Sequence, residues 1–167
     1  MEARMKLFGH PIHQMTIILP LGLLAGAWLF DIGYFISQSP TIGKVAFYNT
    51  GVGIIAGLFV AVFGFLDWRA IPGGTRAKRV GAWHGTANVA VLLLFTISWT
   101  FRYMVPEHLP TVLAFCFATA GVLLAGLSGW LGGELVNRYT VGVKDGAGLD
   151  ASGPFMRSAA GTKSPHR

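Results

Sequence analysis

Cysteine is nearly absent from this chain of 167 residues, with Cys116 standing alone. A single thiol closes no internal disulfide, so the cysteine count implies no oxidising compartment. Its place inside an apolar run reads as a small buried apolar residue. Charge is scarce as well: 12% of the residues are Asp, Glu, Lys or Arg, with 7 acids against 13 bases and a net charge of +6. Hydrophobic residues make up 53% and the mean hydropathy is +0.56. That balance excludes an ordinary soluble domain, because the apolar residues come in runs of about 20 rather than in periodic stripes. Also missing are a Cys-x-x-Cys-His haem attachment, a glycine-rich phosphate loop, a nucleophile elbow and paired carboxylates deep in a run. No catalytic residue is assigned, and an enzyme is not expected.

What is there is four long apolar runs. They predict helices over about 11–37, 45–66, 80–102 and 111–136, each long enough as a helix to cross a hydrocarbon core of about 30 Å. The expected fold is all-α: an integral membrane four-helix bundle over 1–136, then a basic tail over 137–167 rich in Gly, Ala and Ser. The first run has the outline of a signal peptide, with Ala25-Gly26-Ala27 after a basic start. It continues through Trp28-Leu29-Phe30 to Ile36, however, and reads as a spanning helix. Pro20 inside it removes a backbone donor and predicts a kink. The tail's composition predicts no packed structure of its own, which makes it a segment for contact with a partner.

Basic residues set the orientation. Arg4 and Lys6 precede the first run. Arg69, Arg76, Lys78 and Arg79 lie between the second and third, and Arg138, Lys144, Arg157, Lys163 and Arg167 follow the fourth. Only Lys44 and Arg102 fall on the other side. Both termini are therefore expected in the cytoplasm, in a bacterial inner membrane. Charge placed this way points to lipid headgroups or a protein partner and not to nucleic acid. The aromatic residues near run ends, Trp28, Trp68, Trp83, Trp99 and Trp130 among them, are expected to anchor at the interface.

Small residues recur four apart: Gly22 and Gly26, Gly53 and Gly57, Gly81 and Gly85, and a longer stripe of Gly121, Ala125, Gly129 and Gly133. In lipid, close backbone approach across such stripes supplies helix packing. The polar residues gather at the basic end. His10 and His13 flank Pro11 at the start of the first helix. Asp67 ends the second, His84 opens the third with Asn88 one turn on, and Glu134 closes the fourth. Ionisable groups at a membrane invite a functional reading. The positive end of a helix favours neutral imidazole, which is the form that binds haem iron or a metal. His84 with His13 or His10 is a candidate ligand pair for haem b. The three histidines with Asp67 or Glu134 are a candidate for another metal ion, although no specific metal signature is present. Simple polar contacts joining helix ends are the plainer alternative. At the other end, Asp31 and Arg102 are expected to pair at the interface.

Gly9-His10-Pro11-Ile12-His13, Leu19-Pro20-Leu21-Gly22-Leu23-Leu24, Asp67-Trp68-Arg69-Ala70-Ile71-Pro72-Gly73-Gly74-Thr75-Arg76 and Ser128-Gly129-Trp130-Leu131-Gly132-Gly133-Glu134-Leu135-Val136 together resemble a bacterial membrane protein family, domain of unknown function 2231, over about residues 9–143. The resemblance implies four membrane helices, no established activity, and company with Rieske or cytochrome redox modules. The family pattern has a proline where Gln14 stands and a further histidine where Ile18 stands. Loss of that histidine favours a structural role for the remaining cluster. The expected function is thus a non-catalytic accessory subunit of a larger electron-transfer or photosynthetic membrane complex, contacted through the tail and the helix faces. The alternative is a membrane electron carrier binding haem b. A small transporter or channel is a weaker one, since Pro20 could mark a broken helix but no inverted repeat is evident.

Overall fold

The computed structural model describes residues 1–149 and Ala151. Four of its helical segments are long and apolar enough to cross a membrane. A short helix α1 (Ile12–Thr16) leads into α2 (Ile18–Ser37), followed by α3 (Pro40–Ala70), α4 (Arg76–Tyr103) and α5 (Val112–Asn137). The break between α1 and α2 lies at Ile17, three residues before Pro20, which has no N–H to offer the Thr16 carbonyl. The neighbouring bonds, Ile17 N–H to His13 O (3.1 Å) and Leu21 N–H to Ile17 O (3.2 Å), carry the path across. Pro20 thus removes one bond from the ladder and does not separate the two helical pieces.

α3 and α4 start earlier than the apolar runs because local chemistry starts them there. Pro40 takes the first turn of α3, where its missing donor costs nothing. Thr75 caps α4, its hydroxyl accepting from Lys78 N–H at 3.1 Å. Trp68 closes the α3–α4 connection: its indole donates to Lys78 O (3.1 Å), and the Lys78 ammonium lies 4.1 Å from the centre of its ring.

α2 and α3 form one tight hairpin and α4 and α5 the other; α3 packs on α4 and α2 on α5, closing a ring of four helices. Leu24, Val91, Phe95 and Ala118 meet at the centre, with Ala125 packed beside them. Four of the stripe glycines make close approaches. A Cβ would stand 2.7 Å from Leu24 at Gly53, 2.6 Å from Leu92 at Gly57, 2.8 Å from Trp68 at Gly81 and 2.8 Å from Phe95 at Gly121. The packing role expected of the other stripe members is corrected. A Cβ at Gly22, Gly26, Gly85 or Gly129 would meet nothing within 4 Å among the described residues, and at Gly133 only Asn137 of the next turn. Spacing by four puts two glycines on one face without saying which way that face points.

Three tryptophans also depart from a purely interfacial role. Trp28 donates to Thr119 Oγ1 (2.9 Å), Trp68 holds the loop, and Trp99 stacks on Phe47; Trp83 and Trp130 remain outward. Cys116 is exposed on the outer surface of α5 and not buried.

Before α1 the chain makes a two-stranded hairpin, β1 (Lys6–Leu7) against β2 (His10–Pro11). Phe8 and Gly9 turn it with φ of 50° and 80°, the positive values a tight hairpin needs at both central residues. The first residues of the described tail turn back after α5, where Val141 N–H donates to Leu135 O (2.9 Å), and reach the N-terminus, where Gly142 N–H donates to Met1 O (2.9 Å). The tail is therefore structured up to this point. The partner contact expected of its remainder falls on 150 and 152–167, outside the described residues.

Candidate functional site

At the basic end the helices bring together two of the three histidines. His13 on α1 and His84 on α4 have ring centroids 6.4 Å apart with planes at 86°. Each ring lies on a glycine of the helix behind it. A Cβ at Gly64 of α3 would stand 2.9 Å from His13 Cε1, and one at Gly132 of α5 would stand 3.1 Å from His84 Cε1. Neither glycine belongs to the four-residue stripes, and their role becomes visible only once the rings are placed.

The hydrogen bonds define the state of the rings. His84 Nδ1 is 2.8 Å from Ser128 O. A carbonyl only accepts, so Nδ1 carries the proton and donates. In the neutral ring the lone pair then sits on Nε2, where Asn88 Nδ2 donates to it at 3.1 Å. Asn88 Nδ2 also reaches His84 O at 3.0 Å, one turn back on the same helix. Ser128, itself buried, has its hydroxyl 3.1 Å from His84 Nδ1. His13 Nδ1 faces Val60 O at 3.3 Å, which by the same reasoning makes it the donor. Its Nε2 has no hydrogen-bond partner among the described residues.

The other residues expected at this cluster are elsewhere. His10 is exposed on β2, turned away by the hairpin. Asp67 accepts from the backbone N–H of Arg4 (2.8 Å) and Met5 (3.2 Å) and fastens the N-terminal segment to the end of α3. Glu134 pairs with Arg138 one turn on at 3.0 Å. Three or more metal-ligating side chains do not gather anywhere among the described residues. The expected cluster of His10, His13, His84, Asp67, Asn88 and Glu134 is therefore corrected to His13, His84, Asn88 and Ser128. Ile18, where the family pattern has a further histidine, is 74% exposed on the outer surface. A side chain there lies on the lipid side, so its identity says little about the space between the two rings.

At the opposite end Asp31 of α2 and Arg102 of α4 form an ion pair, with side chains 1% and 0% exposed. The expected pairing is present, and the helices enclose it, with Arg102 in the last turn of α4. Asp31 Oδ1 and Arg102 Nε and Nη1 have no protein partner among the described residues. Nearby, Ser98 donates to Ala114 O (2.7 Å) and Lys44 pairs with Glu107 at 2.8 Å.

Four apolar helices with a small polar site inside one end define the class: an all-α integral membrane protein. The chain belongs to the family described as Predicted membrane protein (DUF2231), whose model matches residues 9–145. No curated protein and no solved structure matches it.

Proposed function

We propose that this chain is a non-catalytic four-helix subunit that packs within a larger electron-transfer or photosynthetic complex of the bacterial cytoplasmic membrane, with both termini on the cytoplasmic side. The observation that carries this reading is the set of glycines turned outward. Gly22 and Gly26 on α2, Gly85 on α4 and Gly129 on α5 have open space where a Cβ would be. Lipid tails gain nothing from a glycine, whereas a neighbouring membrane helix gains close backbone contact. An apolar groove of about 390 Å³ on the α4–α5 face, lined by Trp83, Ala87, Ala90, Leu124, Leu127 and Leu131, adds a concave surface on the outside of the bundle. The clustering of basic residues at one end supports the orientation.

The test replaces Gly22 and Gly26 together by isoleucine and solubilises the membrane in mild detergent. The wild-type chain migrates with its complex on a native gel, and the variant migrates alone with unchanged melting temperature. A wild-type chain that already runs as a lone monomer in mild detergent and in native nanodiscs overturns the reading.

A further inference from the structure

The geometry points to a bis-imidazole site at the basic end: His13 and His84 are axial ligands for the iron of a non-covalently held haem. This goes beyond an accessory role and does not depend on it. Each ring has its Nδ1–H turned to a backbone carbonyl of a different helix, Val60 O on α3 and Ser128 O on α5. That is how metal-bound histidines are oriented, with Nε2 left as the ligand atom. Metal–imidazole bonds are roughly 2.0–2.1 Å, so two rings on opposite sides of one metal have centroids roughly 6 Å apart. The two rings here are 6.4 Å apart.

The donor set selects the type of centre. Two histidines, with no carboxylate or thiol joining them among the described residues, leave a structural zinc ion short of ligands. Haem brings its own equatorial nitrogens and asks the protein for axial ligands only. Its propionates are anionic, and this end of the molecule carries Arg4, Arg79 and Lys144. Bound haem would supply one-electron redox chemistry at this end.

Asn88 limits the affinity of the site. Its amide holds the Nε2 lone pair of His84 and has a second acceptor, His84 O, within reach at 3.0 Å. Asn88 can therefore release Nε2 to iron and keep a hydrogen bond. It competes with the ligand and does not help to hold it.

The test is the absorption spectrum of the full chain, expressed with a haem precursor and purified in mild detergent. A Soret band, with a sharp α-band after dithionite, is expected. His13→Ala and His84→Ala each lose it, and added imidazole restores it in His84→Gly, which a merely structural histidine would not allow. In Asn88→Ala, added haemin binds about fivefold more tightly, since one net hydrogen bond no longer competes. The proposal is overturned if the wild-type chain shows no Soret band after both co-expression and haemin addition. It is equally overturned if the band survives in His84→Ala, or if a non-haem metal is retained in its place.

Discussion

At one end of the bundle Asp31 and Arg102 are sealed from solvent at 1% and 0% exposure; at the other, His13 and His84 are partly buried and have no carboxylate beside them among the described residues. Both are polar pairs that join non-adjacent segments of the chain, but they are held by different physics. A full charge inside the bilayer needs an opposite charge beside it, so the Asp31–Arg102 pair is mutually obligatory. The imidazoles are satisfied one nitrogen at a time by backbone carbonyls and an amide. That arrangement leaves His13 Nε2 unengaged and His84 Nε2 only lightly held. The charged end is committed to structure, and the neutral end keeps ligand capacity.

The sharpest way to break this contrast is Arg102→Leu, which strands Asp31. A loss of about 3–5 kcal/mol is expected, followed as a drop in the detergent concentration needed to unfold the chain. Adding Asp31→Leu recovers most of it; a double variant as unstable as the single one would show that the pair is not the cause. Packing gives the next largest effect. Gly53→Ala drives a methyl to 2.7 Å from Leu24 Cδ2, 2.9 Å from its Cγ and 3.3 Å from Leu23 Cβ and should cost about 1–3 kcal/mol. Gly22→Ala meets nothing and leaves the melting temperature level or raised. Trp28→Phe removes the bond to Thr119 and should cost about 1 kcal/mol, read by the same unfolding assay. The smallest effect is local. Asp67→Asn weakens the hold on Arg4 and Met5, and hydrogen exchange at those two amides should rise with the global transition unmoved.

Much of the architecture is legible in the sequence because run length alone distinguishes a spanning helix from a core helix. The helix ends are less so: Pro40 and Thr75 start their helices outside the apolar runs, where hydropathy carries no signal but capping chemistry does. The meeting of His13 and His84 follows from the alternating direction of the four runs. The separation of His10, Asp67 and Glu134 from them does not. His10 is removed by a hairpin whose only mark is Phe8-Gly9. Asp67 is captured by two backbone donors of the N-terminal segment, and Glu134 by an arginine one turn away. Gly64 and Gly132 escaped notice because single glycines in a membrane helix look alike until a ring is seen lying on them. The outward stripes at Gly22 and Gly26 have the same spacing as the inward pair at Gly53 and Gly57, and only the assembled bundle separates them.

The Asp31–Arg102 pair has a consequence for biogenesis. The two residues are about seventy positions apart, so during synthesis α2 and α3 reach the membrane before α4 exists. Until then Asp31 lacks Arg102, the partner that encloses it in the finished bundle. A carboxylate on an inserting helix costs up to about 2.5–3.5 kcal/mol at its centre and less towards its end. The first hairpin is therefore incompletely stable in lipid by itself, and the arrival of α4 locks it. The ion pair thus makes the second hairpin a condition for retaining the first.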